Sequence, residues 1–204
     1  MSPILRASRP CHDNSPPTSR HAMDPLNFPA HIRPIHAMPT HAPCRILALT
    51  PDDTPTVERM LRGLDRDSRC ARFGWASSDE SLMTHARGLF ATATHLIGAF
   101  ADGELRGILE IYADNAARGA EVALVVAPPW RRRGFGQAML AAALAWAAQN
   151  RVGAIHLIFS RENWPMRRLA ETARAKLDIA LDEICAEIAV SSARPPEAAP
   201  DGAR

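Results

Sequence analysis

The sequence predicts a single α+β (mixed α/β) domain in which helices flank a central twisted mixed sheet. Three observations lead to this prediction. The chain of 204 residues is long enough for one domain with a substantial core. Hydrophobic residues make up 47% of it. Apolar runs of strand length and segments of helical period follow one another in the order β-α-α-β-β-β-α-β-α-β-β.

The predicted domain covers residues 45–190 and lies between two segments that lack strand or helix periodicity. Residues 1–44 hold nine of the 17 prolines and five of the eight histidines. Such a segment buries too little apolar surface to offset the entropy lost on ordering, so we predict disorder there and in residues 191–204. Three of the histidines recur every five residues, but nothing fixes the geometry that a metal needs. We therefore expect no metal site.

The first half of the domain is predicted to contain three strands and two helices. CRILALT has the composition of a strand, and Val57, Met60 and Leu61 follow at helical spacing. Asp102-Gly103-Glu104 is a tight-turn signature between two apolar runs. The predicted elements are, in order, a strand at 44–50, a helix from Pro55, a helix at 79–91, and strands at 95–101 and 105–114.

The second half is predicted to be a strand, a helix, a strand, a helix and a hairpin. AEVALVVAP is apolar on both faces, which is typical of a central strand, and AMLAAALAWAAQ forms the middle of a helix. The hairpin is expected to turn near Asp182-Glu183. The predicted bounds are strand 120–128, helix 136–151, strand 154–160, helix 164–175 and hairpin 177–190.

The composition limits the classes of function. A net charge of +2 does not indicate nucleic acid as the main partner. No apolar run approaches the roughly 20 residues of a membrane span, and the N-terminus has no apolar signal-peptide core. The four cysteines form no CxxC pair, which favours free thiols in a reducing cytoplasm. The 23 arginines beside a single lysine are typical of a GC-rich bacterial coding bias.

The segment VVAPPWRRRGFGQAM, residues 125–139, connects a buried strand to the N-terminus of a helix. The first N–H groups of a helix have no partner within it, and the helix dipole is positive there. Gly134 and Gly136 permit unusual backbone angles and the close approach of a ligand, and Arg131–Arg133 add positive charge. Together these features predict an anion site suited to a pyrophosphate.

Two common phosphate-binding motifs do not fit this loop. The dinucleotide-binding pattern GxGxxG fails because Met139 occupies the position of the third glycine. A P-loop fails because no Gly-Lys-Ser/Thr is present. The segment instead resembles the signature of the GNAT acetyltransferase superfamily, a V-x-P strand end followed by R/Q-x-x-G-x-G/A. In this sequence the signature consists of Val126-Ala127-Pro128 and Arg131-Arg132-Arg133-Gly134-Phe135-Gly136.

The resemblance extends over about residues 45–190, where the order of strands and helices matches the GNAT fold. SRENWPMRRLAE, residues 160–171, is similar to the second cofactor segment of the family, an asparagine after a strand and before a helix. GLDRDSRCARFGWASSDE, residues 63–80, looks like the helical region of GNAT domains in bacterial protein-lysine acetyltransferases.

The resemblance implies that acetyl-CoA is the cosubstrate, without a metal. Its pyrophosphate would bind the backbone amides of residues 132–137. Its pantetheine arm would pair with the strand end around Val126, where Pro128 cannot donate a ladder hydrogen bond and the strands splay. Asn163 would cap the following helix and touch the cofactor. The implied cofactor-binding residues are Val125, Val126, Ala127, Arg131, Arg132, Arg133, Gly134, Phe135, Gly136, Gln137 and Asn163.

Three residues are candidates for the proton transfers of acetyl transfer. Glu121 opens the strand before the loop, where several GNAT enzymes carry a general base, and Glu110 on the neighbouring strand is its competitor. Either carboxylate could equally be a solvated or ion-paired strand end. Many members of the family use a tyrosine in the helix after the asparagine as general acid, but Ala170 occupies that region here. Tyr112, the one tyrosine of the chain, or water would serve instead.

Two functions remain open at this point. The first is an N-acetyltransferase that acts on a primary amine, either a small molecule or a protein lysine. The second is a catalytically weak regulatory domain that binds acyl-CoA. The expected partners are acetyl-CoA and an amine acceptor, without nucleic acid or membrane, and homodimer formation stays open.

Overall fold

The structure is a computed structural model that describes residues 44–114 and 119–190. The two segments predicted to be disordered lie outside the described residues, except for Cys44. The described chain forms seven strands and five α-helices. The strands are β1 Arg45–Ala48, β2 His95–Ala101, β3 Glu104–Asp114, β4 Gly119–Val126, β5 Ala154–Ser160, β6 Lys176–Ile179 and β7 Glu183–Ala189. The helices are α1 Thr54–Arg62, α2 Arg66–Phe73, α3 Asp79–Thr92, α4 Phe135–Gln149 and α5 Trp164–Thr172.

The seven strands form one sheet in the order β1-β2-β3-β4-β5-β7-β6. All neighbouring strands pair antiparallel except β4 and β5, which pair parallel. This arrangement confirms the predicted mixed sheet flanked by helices. The final hairpin is present as β6 and β7, and its turn at residues 180–182 lies beside the predicted Asp182-Glu183.

Apolar side chains alternate between the two faces of the sheet and form one core on each face. On one face α4 and α5 bury Met139, Ala143 and Ala170 against strand residues such as Leu109. On the other face α1 and α3 pack against residues that include Ile108. The alanine-rich sequence of α4 fits a helix that packs closely on the sheet. None of the helices in the described ranges is long and apolar enough to cross a membrane.

One helix, α2, is absent from the order of elements that the sequence predicts. Its sequence RDSRCARF has no apolar period, and Ser68 is its only buried residue. The signals that define it are local. The Asp65 carboxylate accepts a hydrogen bond from the backbone N–H of Ser68, and Gly74 ends the helix at φ 80°. α2 contacts β4 and β5, so the missed helix lies beside the central strands.

Candidate active site

The strands β4 and β5 separate at the centre of the sheet. They pair only at Gly119 with Ala154, Ala120 with Ile155 and Glu121 with His156, although β4 continues to Val126 and β5 to Ser160. The predicted splaying is therefore present, but it begins directly after Glu121 rather than at Pro128. The unpaired part of β4 comprises residues 122–126, which span about 16 Å. We call this space the β4–β5 opening.

The hydrogen bonds to β3 determine which backbone groups face this opening. The Ala127 N–H donates to the carbonyl of Arg106 at 2.8 Å, and its own carbonyl accepts from the Trp130 N–H at 2.9 Å. Because bonding direction alternates along an antiparallel strand, Val125 also bonds toward β3, while Leu124 and Val126 face the opening. Of the predicted strand residues Val125, Val126 and Ala127, Val126 is thus the one whose backbone faces the opening, where it could pair with a ligand. Leu124 was missed because sequence alone does not determine this alternation.

The backbone around residues 131–137 has the geometry of an anion site. Arg132 has φ 59° and Gly134 has φ 85°, both in the left-handed region, which is common in anion-binding turns of the backbone. The first helical bond of α4 runs from the Ala138 N–H to the Gly134 carbonyl at 2.9 Å. The N–H groups of residues 135–137 therefore have no partner within the helix, and Gly134 has no side chain to cap them.

The side chains of this loop have different surroundings. Phe135 is buried against Trp130, with ring centroids 5.6 Å apart, so only its backbone can reach a ligand. The Arg133 guanidinium lies 5.1 Å from the centre of the Trp130 ring. Arg131 donates from Nε to the Val126 carbonyl at 3.1 Å and from Nη2 to Ser68 Oγ at 2.6 Å. Arg132 and Gln137 are exposed.

Asn163 occupies the N-cap of α5, shortly after the end of β5. Its Oδ1 accepts a hydrogen bond from the Met166 N–H at 3.2 Å, as expected for a helix cap. The cap uses the oxygen, so the side-chain NH2 group can still donate to a ligand. The structure thus agrees with the capping half of the predicted role.

Glu110 is completely buried in a polar cluster between α2, α3 and β3. Its carboxylate is ion-paired with Arg72 and accepts a hydrogen bond from the Tyr112 hydroxyl at 2.8 Å. His85 Nε2 lies 3.2 Å from the other carboxylate oxygen. Burial by itself would raise the pKa of Glu110. The charge of Arg72 and the contacts with His85 and Tyr112 outweigh burial and lower that pKa to about 2.

Tyr112 is held in its protonated form. Burial raises the pKa of its hydroxyl above the ordinary value, and the neighbouring charge of Glu110 and the hydrogen bond to it act in the same direction. A raised pKa makes the hydroxyl a weaker acid, and its proton already points to Glu110. These two facts weaken the candidacy of Tyr112 as general acid.

Glu121 lies at the closed end of the β4–β5 opening. It stands directly opposite Tyr112 on β3 and beside His156 on β5. Opposed residues of a sheet share a face, so the Glu121 side chain lies on the same face as Glu110. Glu121 is only partly buried, in contrast to Glu110.

Further carboxylates lie near Glu121. The pKa of the Cys185 thiol is raised by burial and then by the charges of Asp178, Glu187 and Glu121. The strand register places His156, Glu187 and Lys176 in one row with Glu121, so acidic and basic groups are both present at the closed end of the opening.

Three residues of this region were not predicted as functional. Ser68 and Arg72 belong to the missed helix α2, and His85 lies within α3. Arg72 and Glu110 lie 38 positions apart in the chain, and His85 and Glu110 lie 25 apart. No local pattern could have paired them.

The mixed seven-stranded sheet with flanking helices belongs to a class of protein that comparison of the sequence with protein families identifies. The sequence model of the Acetyltransferase (GNAT) family matches residues 60–173, more than half of the chain. The protein belongs to the GNAT acetyltransferase family. No curated protein matches the sequence significantly.

Several solved structures share the fold. The GNAT domain of PAT from S. lividans has a TM-score of 0.62 at 18% identity, covering 72% of this chain and 90% of that domain. Spermidine N-acetyltransferase from Vibrio cholerae, in complex with CoA and spermine, has a TM-score of 0.60 at 18% identity, covering 73% and 96%. The ribosomal-protein-S18-alanine N-acetyltransferase of Escherichia coli has a TM-score of 0.57 at 16% identity, covering 76% and 98%.

Proposed function

We propose that this protein transfers the acetyl group of acetyl-CoA to a primary amine, of a small molecule or of a protein lysine, by direct attack. One observation supports this function most strongly. The β4–β5 opening runs from the anion site at the N-terminus of α4 to a carboxylate, Glu121, at its closed end. Membership of the GNAT family gives the same class of reaction.

The opening has suitable groups for each part of acetyl-CoA. The free N–H groups of residues 135–137 would bind the pyrophosphate, assisted by the exposed Arg132. The backbone of Leu124 and Val126 would pair with the amides of the pantetheine arm, as an added strand would. The Asn163 side chain would contribute from the β5 side of the opening. The acetyl group would then lie near Glu121.

Glu121 is a better candidate for the general base than Glu110. Glu110 is fully buried and already engaged by three side chains, and a pKa of about 2 makes it a weak proton acceptor. Glu121 is partly exposed, and Glu187 lies in the same row of the sheet, opposite His156 on β5. It would take a proton from the ammonium, directly or through one water. The neutral nitrogen would then attack the thioester carbonyl carbon, and the carbon–sulfur bond would break.

The leaving thiolate must be protonated to complete the reaction. Ala170, at the position where related enzymes often have a tyrosine, is fully buried in the core beside the sheet. Because Tyr112 is a weakened acid, we propose that a water molecule takes the proton that the attacking nitrogen loses on forming the amide and passes it to the thiolate. The missing tyrosine is also the observation that favours the second candidate function, a domain that binds acyl-CoA for regulation with little turnover.

The test combines binding with turnover. Calorimetry would measure the affinity for acetyl-CoA, and thiol release would report transfer to a panel of primary amines and lysine peptides. Glu121→Gln should lower kcat by roughly 100- to 10,000-fold while the dissociation constant for acetyl-CoA stays within about twofold. The acidic limb of the pH–rate profile should disappear. Glu171→Gln, the same change on the partly exposed surface of α5, is the matched control.

The outcomes separate the candidates. Binding without transfer to any amine would favour the regulatory domain. Failure to bind acetyl-CoA would refute both functions. Unchanged turnover in Glu121→Gln would show that this carboxylate is not the base.

A further inference from the structure

Helix α2 is connected to the loop at residues 131–137 by a chain of polar contacts. The Val126 carbonyl accepts from Arg131 Nε at 3.1 Å, and Arg131 Nη2 donates to Ser68 Oγ at 2.6 Å. The Ser68 hydroxyl donates in turn to the Asp65 carboxylate. Ser68 is only 1% exposed, whereas Arg131 is an exposed residue, and the contact between them is partly buried. These hydrogen bonds join the end of β4 to the N-cap of α2.

One turn further along, an ion pair connects the same helix to β3. Ser68 and Arg72 are four residues apart and therefore lie on one face of α2. Arg72, whose side chain is 6% exposed, forms the buried ion pair with Glu110. One face of α2 is thus bound at its start to the loop and at its end to the strand that carries Tyr112.

Polar contacts hold most of α2 in place, and Phe73 at its end packs against the apolar core and His85. Ser68 is the only buried residue of the helix. Arg69 donates to the carbonyls of Leu64, Ser77 and Arg62 at 2.9, 2.9 and 2.8 Å, which ties the helix to its flanking turns. A helix with so little apolar burial belongs to the less stable parts of a domain, and its order responds to the groups that bind it.

Arg131 therefore has a different position from its neighbours in the loop. Two of its donors are used within the protein, on Val126 and Ser68. Arg132 is exposed, and Arg133 lies against the ring of Trp130. A ligand that orders the loop would also fix the guanidinium of Arg131, and with it the start of α2.

We propose that Arg131 is a positioning residue that couples the cofactor loop to α2 through Ser68. Binding of CoA at the loop orders α2, which contacts β4 and β5, the two strands that border the β4–β5 opening. This role rests on the proposed function, since it requires that CoA binds the loop. It predicts that the cofactor strengthens acceptor binding, and the reverse by reciprocity.

The test uses CoA itself as the probe, because the acceptor is not needed. Hydrogen exchange is measured for the amides of Arg69 to Gly74, which bond within or directly after α2, with and without saturating CoA. In the parent protein CoA should slow this exchange about tenfold, the effect of one hydrogen bond of ordinary strength. The readout is the change caused by CoA, which a purely structural role of Arg131 would not alter.

Three variants distinguish residues that couple the loop to α2 from residues that only bind CoA. Ser68→Ala and Arg131→Gln should each abolish the slowing while CoA still binds by calorimetry, and the double variant should behave like either single one. Arg132→Gln is the matched control: it should weaken CoA binding, yet keep the slowing of α2 once CoA is saturating. Because Ser68→Ala and Arg131→Gln remove opposite ends of one contact, either alone suffices if the other does not fold.

Two results would overturn the coupling. The first is CoA binding by the parent without any change in α2 exchange. The second is a loss of CoA affinity in Arg131→Gln equal to that in Arg132→Gln, with no effect of Ser68→Ala, because Arg131 would then be a phosphate ligand. Absence of CoA binding by the parent would instead refute the proposed function itself.

Discussion

Replacement of Glu110 by glutamine would leave the Arg72 guanidinium in the interior without its counter-charge. The two side chains are 0% and 6% exposed, so solvent screens their interaction very little. The pKa of Glu110 falls from the ordinary 4.5 to about 2, which corresponds to about 3 kcal/mol of stabilisation at neutral pH. Removal of one partner from a buried ion pair typically costs about 3–5 kcal/mol. The two figures agree and are a large fraction of the roughly 5–15 kcal/mol that stabilises a domain.

The direction of the pKa shift of Glu110 determines how its contribution to stability changes with pH. A carboxylate whose pKa is lowered by folding stabilises the domain above its unfolded pKa, and this stabilisation is lost as the pH falls through the folded value. The contribution of Glu110 should thus be complete above about pH 4.5 and decline toward pH 2. Glu110→Gln lacks the titrating group. The difference in free energy of unfolding between parent and variant should be about 3 kcal/mol at pH 7 and should shrink at pH 3.

Denaturant unfolding followed by circular dichroism at both pH values measures this difference. Arg72→Met in the Glu110→Gln background removes the orphaned charge and should restore part of the stability. Glu171→Gln is the control for the substitution itself, because its ion pair with Arg167 is solvent-exposed and should contribute less than about 1 kcal/mol. A Glu110→Gln protein with parental stability and lost turnover would refute the structural role and make Glu110 the base.

Two further predictions concern the cofactor site. A Cβ at Gly136 would lie 3.5 Å from Leu169 Cδ2, an ordinary contact, so Gly136→Ala should fold and bind CoA. Gly136→Leu should weaken CoA binding at least tenfold in calorimetry. If this variant binds CoA as tightly as the parent protein, the loop is not part of the cofactor site. Asn163→Ala removes the acceptor of the Met166 N–H and should cost about 1 kcal/mol in unfolding. Asn163→Ser keeps a neutral N-cap without the side-chain NH2 group, so a loss of CoA affinity in that variant would report a direct contact with the cofactor.

The sheet and the loop could be predicted from sequence because their signals are local. Apolar alternation defines strands such as β3, and the turn at Asp102-Gly103 is present with both residues at positive φ. The loop signature combines a strand end, glycines and a helix start within a dozen residues. α2 could not be predicted in the same way, because its buried side chains, Ser68 and Arg72, are polar and many of its contacts are made by arginines.

The environment of the two candidate carboxylates depends on tertiary structure. In the sequence Glu110 and Glu121 look alike, since each lies within an apolar strand. The sheet places both on one face, but α2 and α3 cover only Glu110, with Arg72 and His85 above it. Glu121 stays accessible because β4 and β5 separate directly after it.

The same reasoning applies to the three consecutive arginines of the loop. As a sequence they form one block of positive charge, and any of them could bind phosphate. Arg132 has a left-handed backbone conformation, at φ 59°, and all three arginines are exposed as whole residues. Exposure therefore does not distinguish them, but side-chain contacts do. Arg131 bonds to the Val126 carbonyl and to Ser68 and so joins two parts of the protein.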